Sequence, residues 1–263
     1  MIPPFRAASL RKWIFLRDLL VELVSREIKL RYSQSVLGYA WSLLNPLLQL
    51  LVLSLVFQYI LPLNVPNYLP FLFTGLSVWN WFQASLYTAC GSLVDNRELV
   101  RRPSFPVQIL PVVTVITNFI HFLLSLPVLF LLLLLYRIPI TLALLALPVL
   151  FLLQFIIIIS LSYFLATFYV TFRDTQYLLG VALMLGFYLT PVFYPSAAVG
   201  AKFQFIYHLN PMVVLIDAYR QVLLLGQLPD ALALLLVGIT FSALLLAGYH
   251  LFQHARYHFT EEL

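Results

Sequence analysis

The chain is short of charge and has a single cysteine. Only 10% of its 263 residues are Asp, Glu, Lys or Arg and 62% are hydrophobic, whereas soluble domains carry about 25% charged and roughly 45–50% apolar residues. So few charged groups cannot coat a water-facing surface, which excludes a soluble domain and indicates an integral membrane protein. Cys90 has no second cysteine to pair with, which excludes an intrachain disulfide and a cysteine zinc cluster. No Gly-x-x-x-x-Gly-Lys-Ser/Thr segment occurs, so this chain cradles no nucleotide in the P-loop manner. No Ser-His-Asp or paired-carboxylate arrangement is discernible, which argues against an intramembrane enzyme. There is no internal repeat, and no strong GxxxG pattern picks out a helix-helix interface.

Acid is also missing where an ion-coupled carrier would need it. Asp18, Glu22, Glu27, Asp95, Glu98, Asp174, Asp217, Asp230, Glu261 and Glu262 all fall outside the apolar runs or at their edges. Carriers driven by protons or sodium usually keep ionisable residues or broken helices near the midplane. The net charge of +5 comes from basic residues set beside apolar runs, the positive-inside arrangement, and not from a nucleic-acid surface.

What is present is apolar length. A helix crosses a hydrocarbon core of roughly 30 Å with about 20 residues, and six segments qualify: Tyr39 to Leu61, Tyr68 to Cys90, Gln108 to Leu135, Ile140 to Val170, Gln176 to Tyr194 and Ala231 to Phe252. Pro111, Pro127 and Pro148 are expected to tilt or kink the third and fourth. Arg6, Arg11, Lys12, Arg17, Arg26, Lys29 and Arg31 precede the first span, Arg97, Arg101 and Arg102 follow the second, Arg173 the fourth and Arg256 the sixth. Only Arg137, Lys202 and Arg220 lie in the alternate loops. Both termini are therefore expected to be cytoplasmic. The first apolar run begins near Gly38 without a small-residue cleavage site, so no cleaved signal peptide is expected.

Ser9 to Tyr32 reads as an amphipathic helix lying in the membrane interface, with Trp13, Leu16, Leu20, Leu23 and Leu30 on one side and Asp18, Glu22, Ser25 and Lys29 on the other. Glu22 with Arg26 and Glu27 with Arg31 are i,i+4 pairs in the favourable order. The outer segment Pro195 to Asp230 holds two short apolar pieces broken at Asn210-Pro211, each too short to span, which predicts re-entrant or interfacial helices. Asp217 and Arg220 are placed to pair on the second piece. His250, His254 and His258 have helical metal-ligand spacing, but no adjacent carboxylate completes a site, so they read as polar residues of the last turns. Asn118, His121 and Gln154 read as interhelical hydrogen-bonders. Aromatics make up 16% of the chain. Trp79, Trp81, Phe82 and Tyr87 on the second span and Phe187, Tyr188, Phe193 and Tyr194 on the fifth fit an interfacial belt. They fit equally a path on which the C–H faces of sugars would stack.

The segment RYSQSVLGYAWSLLNPLLQLLVLSLVF (Arg31 to Phe57) resembles the start of the first span in membrane subunits of ABC exporters for bacterial surface polysaccharides. GLSVWNWFQASL, SLVDNRELVRRPSFPVQILP, Arg173-Asp174, TPVFYP (Thr190 to Pro195) and HLNP (His208 to Pro211) continue the resemblance in order. It implies a single all-α permease domain that pairs with a second copy of itself and with two copies of a separate ABC ATPase. It implies that ATP and Mg are held by that partner, with no cofactor on this chain. Its cargo would be O-antigen, capsular polysaccharide or teichoic acid on an undecaprenyl diphosphate lipid, exported across the cytoplasmic membrane. On this resemblance Asp95 to Arg102 would form a cytoplasmic coupling helix, with Asp95, Arg97, Glu98, Arg101 and Arg102 meeting the ATPase and Pro103 and Pro106 ending it. Arg26, Lys29 and Arg31 would bind the lipid diphosphate, and Phe187, Tyr188, Phe193, Tyr194 and Tyr207 would contact glycan. The alternatives are a lipid or drug exporter of the same architecture, and a membrane scaffold without transport of its own.

Overall fold

The computed structural model describes residues 4–33, 38–200, 207 and 209–262, and no strand occurs among them. The helices are α1 (Pro4–Tyr32), α2 (Trp41–Leu55, continued by a π-helical turn Val56–Ile60), α3 (Tyr68–Asp95), α4 (Arg97–Val100) and α5 (Ile109–Leu135). They continue with α6 (Leu147–Thr171, entered through a 3-10 turn Leu142–Ala146), α7 (Thr175–Leu189), α8 (Pro211–Arg220, continued by a π-helical turn Gln221–Leu225) and α9 (Ala231–Glu262).

Four of these are both long and apolar enough to cross a membrane: Trp41–Ile60, Ile109–Leu135, Leu142–Thr171 and Ala231–Phe259. The other two expected spans differ for identifiable reasons. α3 has 28 residues, or about 42 Å at roughly 1.5 Å per residue, but it is the more polar helix at the centre of the bundle. It packs on α2, α5, α6, α7 and α8, so most of its surface meets protein, and lipid-facing apolarity is not demanded of it. α7 stops at Leu189, short of the expected Tyr194, because Thr190 precedes Pro191 and is extended (φ −95°, ψ 141°).

The prolines also act differently from expectation. Pro111 lies in the first turn of α5 and Pro148 at the start of α6, positions where the missing N–H would have had no helical partner. Only Pro127 of the three sits inside a helix.

The helix ends separate into two groups. At one end Thr171, closing α6, donates to Glu262 at the end of α9 (2.8 Å), and α1 faces Asp95 and Gln176 across a shared pocket. At the other, Tyr68 at the start of α3 donates to Phe193 O (2.9 Å), Phe57 stacks on Phe193 (4.9 Å), and Thr141 donates to Gly226 O (3.4 Å). Gly226 has φ 65°, and a Cβ there would sit 2.6 Å from Thr141 Cγ2, so this close junction requires glycine.

α1 lies against α5, but its buried side is not quite the expected one. Val24 is buried and Leu19, Leu20, Leu23 and Ile28 pack on the core, whereas Trp13 and Leu30 are exposed. The helix must follow α5 around its circumference, so the contact stripe is narrower than the apolar periodicity. Glu27 and Arg31 approach to 4.0 Å as expected. Among the described residues Glu22 and Arg26 form no such pair; both are exposed, and Arg17 lies 3.7 Å from Asp18. Of the two expected short outer helices, the second is α8; the first falls largely outside the described residues.

Candidate functional site

Between α2, α3 and α5 lies a groove of about 550 Å³. Three helical faces build it. α2 supplies Trp41, Ser42, Asn45 and Gln49, α3 supplies Ser77, Asn80, Trp81, Gln83 and Tyr87, and α5 supplies Asn118, His121, Phe122 and Ser125. The α5 set follows the i, i+3, i+4, i+7 spacing that puts side chains on one side of a helix, and three- and four-residue steps also relate most members of the other two sets. Asn80 donates to Gln49 Oε1 (3.0 Å), and Trp79 Nε1 donates to Gln83 Oε1 (2.8 Å). Trp81 stacks on Phe122 (5.1 Å), which makes one wall a rigid aromatic surface.

Arg31 stands in this groove. Its guanidinium donates to Asn118 Oδ1 (3.1 Å), nine residues into α5, or about 13 Å along that helix at roughly 1.5 Å per residue. Asn118 in turn donates to Thr88 Oγ1 (3.0 Å) and Thr114 O (2.8 Å), joining α1, α3 and α5 through one amide. Gln154 donates to Val78 O (2.9 Å). Both amides therefore bond between helices, as the sequence predicts. Arg26 and Lys29 do not join Arg31. They border a separate surface cavity on α1 with Arg17, Asp18 and Glu22. The expected basic triad is thus divided, with Arg31 alone reaching the groove.

A second pocket of about 380 Å³ lies beside α1, lined by Arg26, Glu27, Thr88, Ser92, Asp95, Asn96 and Gln176 among others. Glu27 is raised above its ordinary carboxyl range, first by desolvation; Arg31 opposes the rise and Asp95 adds to it. Asp95 is likewise raised by desolvation. Asp95 belongs to the last turn of α3, not to the short helix that follows. That helix, α4, is one turn in which Val100 is buried while Arg97 and Glu98 are exposed, as are Arg101 and Arg102 just beyond it. Beyond it Phe105 and Val107 are buried as anchors. Pro103 and Pro106 break the turn as expected.

The aromatic residues expected along a glycan path form one continuous cluster. Phe187 meets Tyr188 (5.4 Å) and Phe193 (5.7 Å), Phe193 meets Tyr194 (4.9 Å), and Tyr194 meets Tyr207 (6.5 Å). The Tyr194 hydroxyl donates to Tyr188 O (3.0 Å) and is hydrogen-bonded with the Tyr207 hydroxyl. Trp79 packs its ring on Phe187 (6.0 Å). Trp79 also holds Gln83, so one buried ring links a groove residue to the cluster.

Arg220 is a residue whose importance the sequence conceals. It is 5% exposed. It donates to Pro191 O (2.7 Å) and Val192 O (2.7 Å), lies 3.5 Å above the Phe71 ring, and has Asp217 only 3.9 Å away as expected. Gly75 makes room for it, since a Cβ there would be 2.5 Å from Val192 O and 2.8 Å from Arg220 Nη2. Asn210 completes the junction. It caps α8 by accepting from the Met212 N–H (2.9 Å) and donates to Thr190 Oγ1 (2.9 Å). Among the described residues no three His, Cys, Asp or Glu side chains are grouped to hold a metal.

The sequence matches known proteins along most of its length. The ABC-2 type transporter family matches residues 18–224. An O-antigen export system permease protein RfbA from Myxococcus xanthus is 37% identical over 249 residues, covering 94% of this chain and 96% of that protein. A protein of the same name from Klebsiella pneumoniae is 32% identical over 250 residues, covering 95% and 96%. A transporter-family match across most of the chain and four apolar helices long enough to span make this a multi-pass membrane protein, and the chain belongs to the ABC-2 type transporter family.

Proposed function

We propose that this chain is the permease subunit of an ATP-driven exporter that moves polysaccharide linked to undecaprenyl diphosphate from the cytoplasmic to the outer side of the cytoplasmic membrane. The observation that carries this reading is similarity to O-antigen export permeases over more than nine-tenths of both chains (94% and 96%). The geometry supports it with a polar, aromatic-walled groove tied through the buried Trp79 ring to an aromatic cluster, and with a guanidinium at Arg31 suited to charge-assisted bonds with a diphosphate. Six spans place both termini on the cytoplasmic side, with α1 at the membrane interface and α8 re-entrant from the outer side.

Two copies of the chain act with two copies of a separate ATPase, which holds ATP and Mg. α4 is the seat for that partner. Val100 fixes the turn to the bundle and leaves its charged residues outward. A nucleotide-driven movement received at α4 passes directly into α3, which forms one wall of the groove. The cargo must slide, so many modest contacts along Phe187, Tyr188, Phe193, Tyr194 and Tyr207 serve it better than one tight pocket. Deleting the subunit in its host, with a restored wild-type copy as control, is expected to trap undecaprenyl-linked glycan on the cytoplasmic side and abolish surface polymer. Normal surface polymer, in a host with no second exporter, would contradict the reading and favour a lipid or drug cargo.

A further inference from the structure

We propose that the groove between α2, α3 and α5 is a carbohydrate-binding site that reads the first sugars attached to the diphosphate of the lipid-linked cargo. This inference rests on the exporter reading above and specifies which part of the cargo this chain recognises.

The argument starts from chemistry that helix packing alone does not require. A contact between membrane helices is usually made by small residues, with a few polar side chains as links. Here Asn80, Gln49 and Gln83 stand beside the exposed faces of Trp41 and Tyr87, within a volume of about 550 Å³, inside the roughly 300–1,000 Å³ range of small-molecule sites. Amides offer both donors and acceptors to hydroxyl groups, and aromatic faces suit the C–H faces of a pyranose. That pairing matches a sugar, which is polar at its rim and apolar on its faces. An acyl chain would leave the remaining donors and acceptors of these amides, beyond the Asn80–Gln49 and Trp79–Gln83 bonds, without partners.

A second observation points to a ligand. Trp81 and Ser77 both border the groove and are 2% and 4% exposed, yet among the described residues neither Trp81 Nε1 nor Ser77 Oγ has a hydrogen-bond partner. A buried N–H or O–H left unpaired costs free energy; both atoms are sealed behind the groove wall, and a hydroxylated ligand that opens that wall by a small side-chain shift would supply their partners. Arg31 adds direction. With the diphosphate held at its guanidinium, the attached sugar lies against Asn80 and Gln49, which line the same groove.

The test compares two lipids on the intact permease–ATPase complex in nanodiscs: the host's own undecaprenyl diphosphate-linked glycan, and undecaprenyl diphosphate without sugar. Wild type is expected to bind the glycan-bearing lipid at least about ten-fold more tightly, the yield of one or two net hydrogen bonds. The double variant Gln49→Leu/Asn80→Leu should bind both lipids equally, with affinity for the bare diphosphate unchanged, which also reports that it is folded. Trp81→Phe keeps the stacked ring, loses only the N–H and should lose part of the preference, a guard against misfolding of the double variant. Equal binding of the two lipids by wild type, or undiminished preference in both variants, would overturn the sugar site while leaving the exporter reading intact. Failure of wild type to bind either lipid would overturn the exporter reading and the sugar site with it.

Discussion

Arg220 concentrates the largest single-residue effect expected in this molecule. Arg220→Met leaves the carbonyls of Pro191 and Val192 without their donor and removes the cation beside Asp217. Loss of one partner from a buried charged network typically costs about 3 kcal/mol or more, so thermal unfolding of the purified complex should shift markedly downward. Arg220→Lys should recover only part, because an ammonium lacks the planar fork that meets two carbonyls at once; full recovery would contradict this account. A reader of the sequence sees Arg220 only beside Asp217, three residues away. Its main acceptors come from a turn almost 30 residues earlier, and a one-dimensional pattern carries no trace of that contact. Asn118 and Gln154 were legible for the opposite reason: each is a lone amide in a run of apolar residues, where an unbonded amide is not tolerated.

Glu27 gives a second residue-level prediction, and its sign follows from desolvation. Its folded pKa is raised above the ordinary 4.5, so the folded state binds the proton more tightly than the unfolded one. The corresponding stabilisation is complete below pH 4.5 and is lost as pH rises through the raised folded value. Glu27→Gln removes this dependence. The difference in melting temperature between variant and wild type should therefore move in the variant's favour as pH is raised through that window; a difference independent of pH would contradict it.

At the scale of elements, α4 and the groove make separate demands. Arg101→Glu/Arg102→Glu alters an exposed pair and leaves Val100, Phe105 and Val107 seated, so the protein should insert and assemble normally. Its stimulation of ATP hydrolysis by cargo, and export itself, should fall by an order of magnitude or more, about the effect of losing a charged contact pair between proteins. Unchanged stimulation would remove α4 as the docking element. Pro103 and Pro106 marked the end of α4 in the sequence, whereas Pro111 and Pro148, expected to tilt or kink their spans, lie in the first turns of α5 and α6. The groove was not readable. Asn45, Gln49, Ser77, Asn80 and Gln83 each look like an ordinary polar residue on an apolar helix, and only the packing of α2 and α5 on either side of α3 brings them together.

Across the whole molecule, the helix ends form two groups, with Thr171, Glu262 and Asp95 at one and Tyr68, Phe193 and Gly226 at the other; the positions of Lys and Arg lead to the expectation that the first group is the cytoplasmic one. The centrality of α3 was not legible, because a helix enclosed by its neighbours needs less apolar surface than a lone span and so announces itself weakly by hydropathy. The most direct measurement is made in proteoliposomes holding the permease and its ATPase, with undecaprenyl diphosphate-linked glycan from the host loaded into the vesicle membrane. Complexes with the ATPase facing outward are driven by external ATP, and the glycan exposed to an added glycosidase is followed over time. The account predicts that ATP and Mg move glycan into the protected lumen, and that Arg101→Glu/Arg102→Glu abolishes that protection. ATP hydrolysis with no change in glycan protection in the wild-type complex would contradict it.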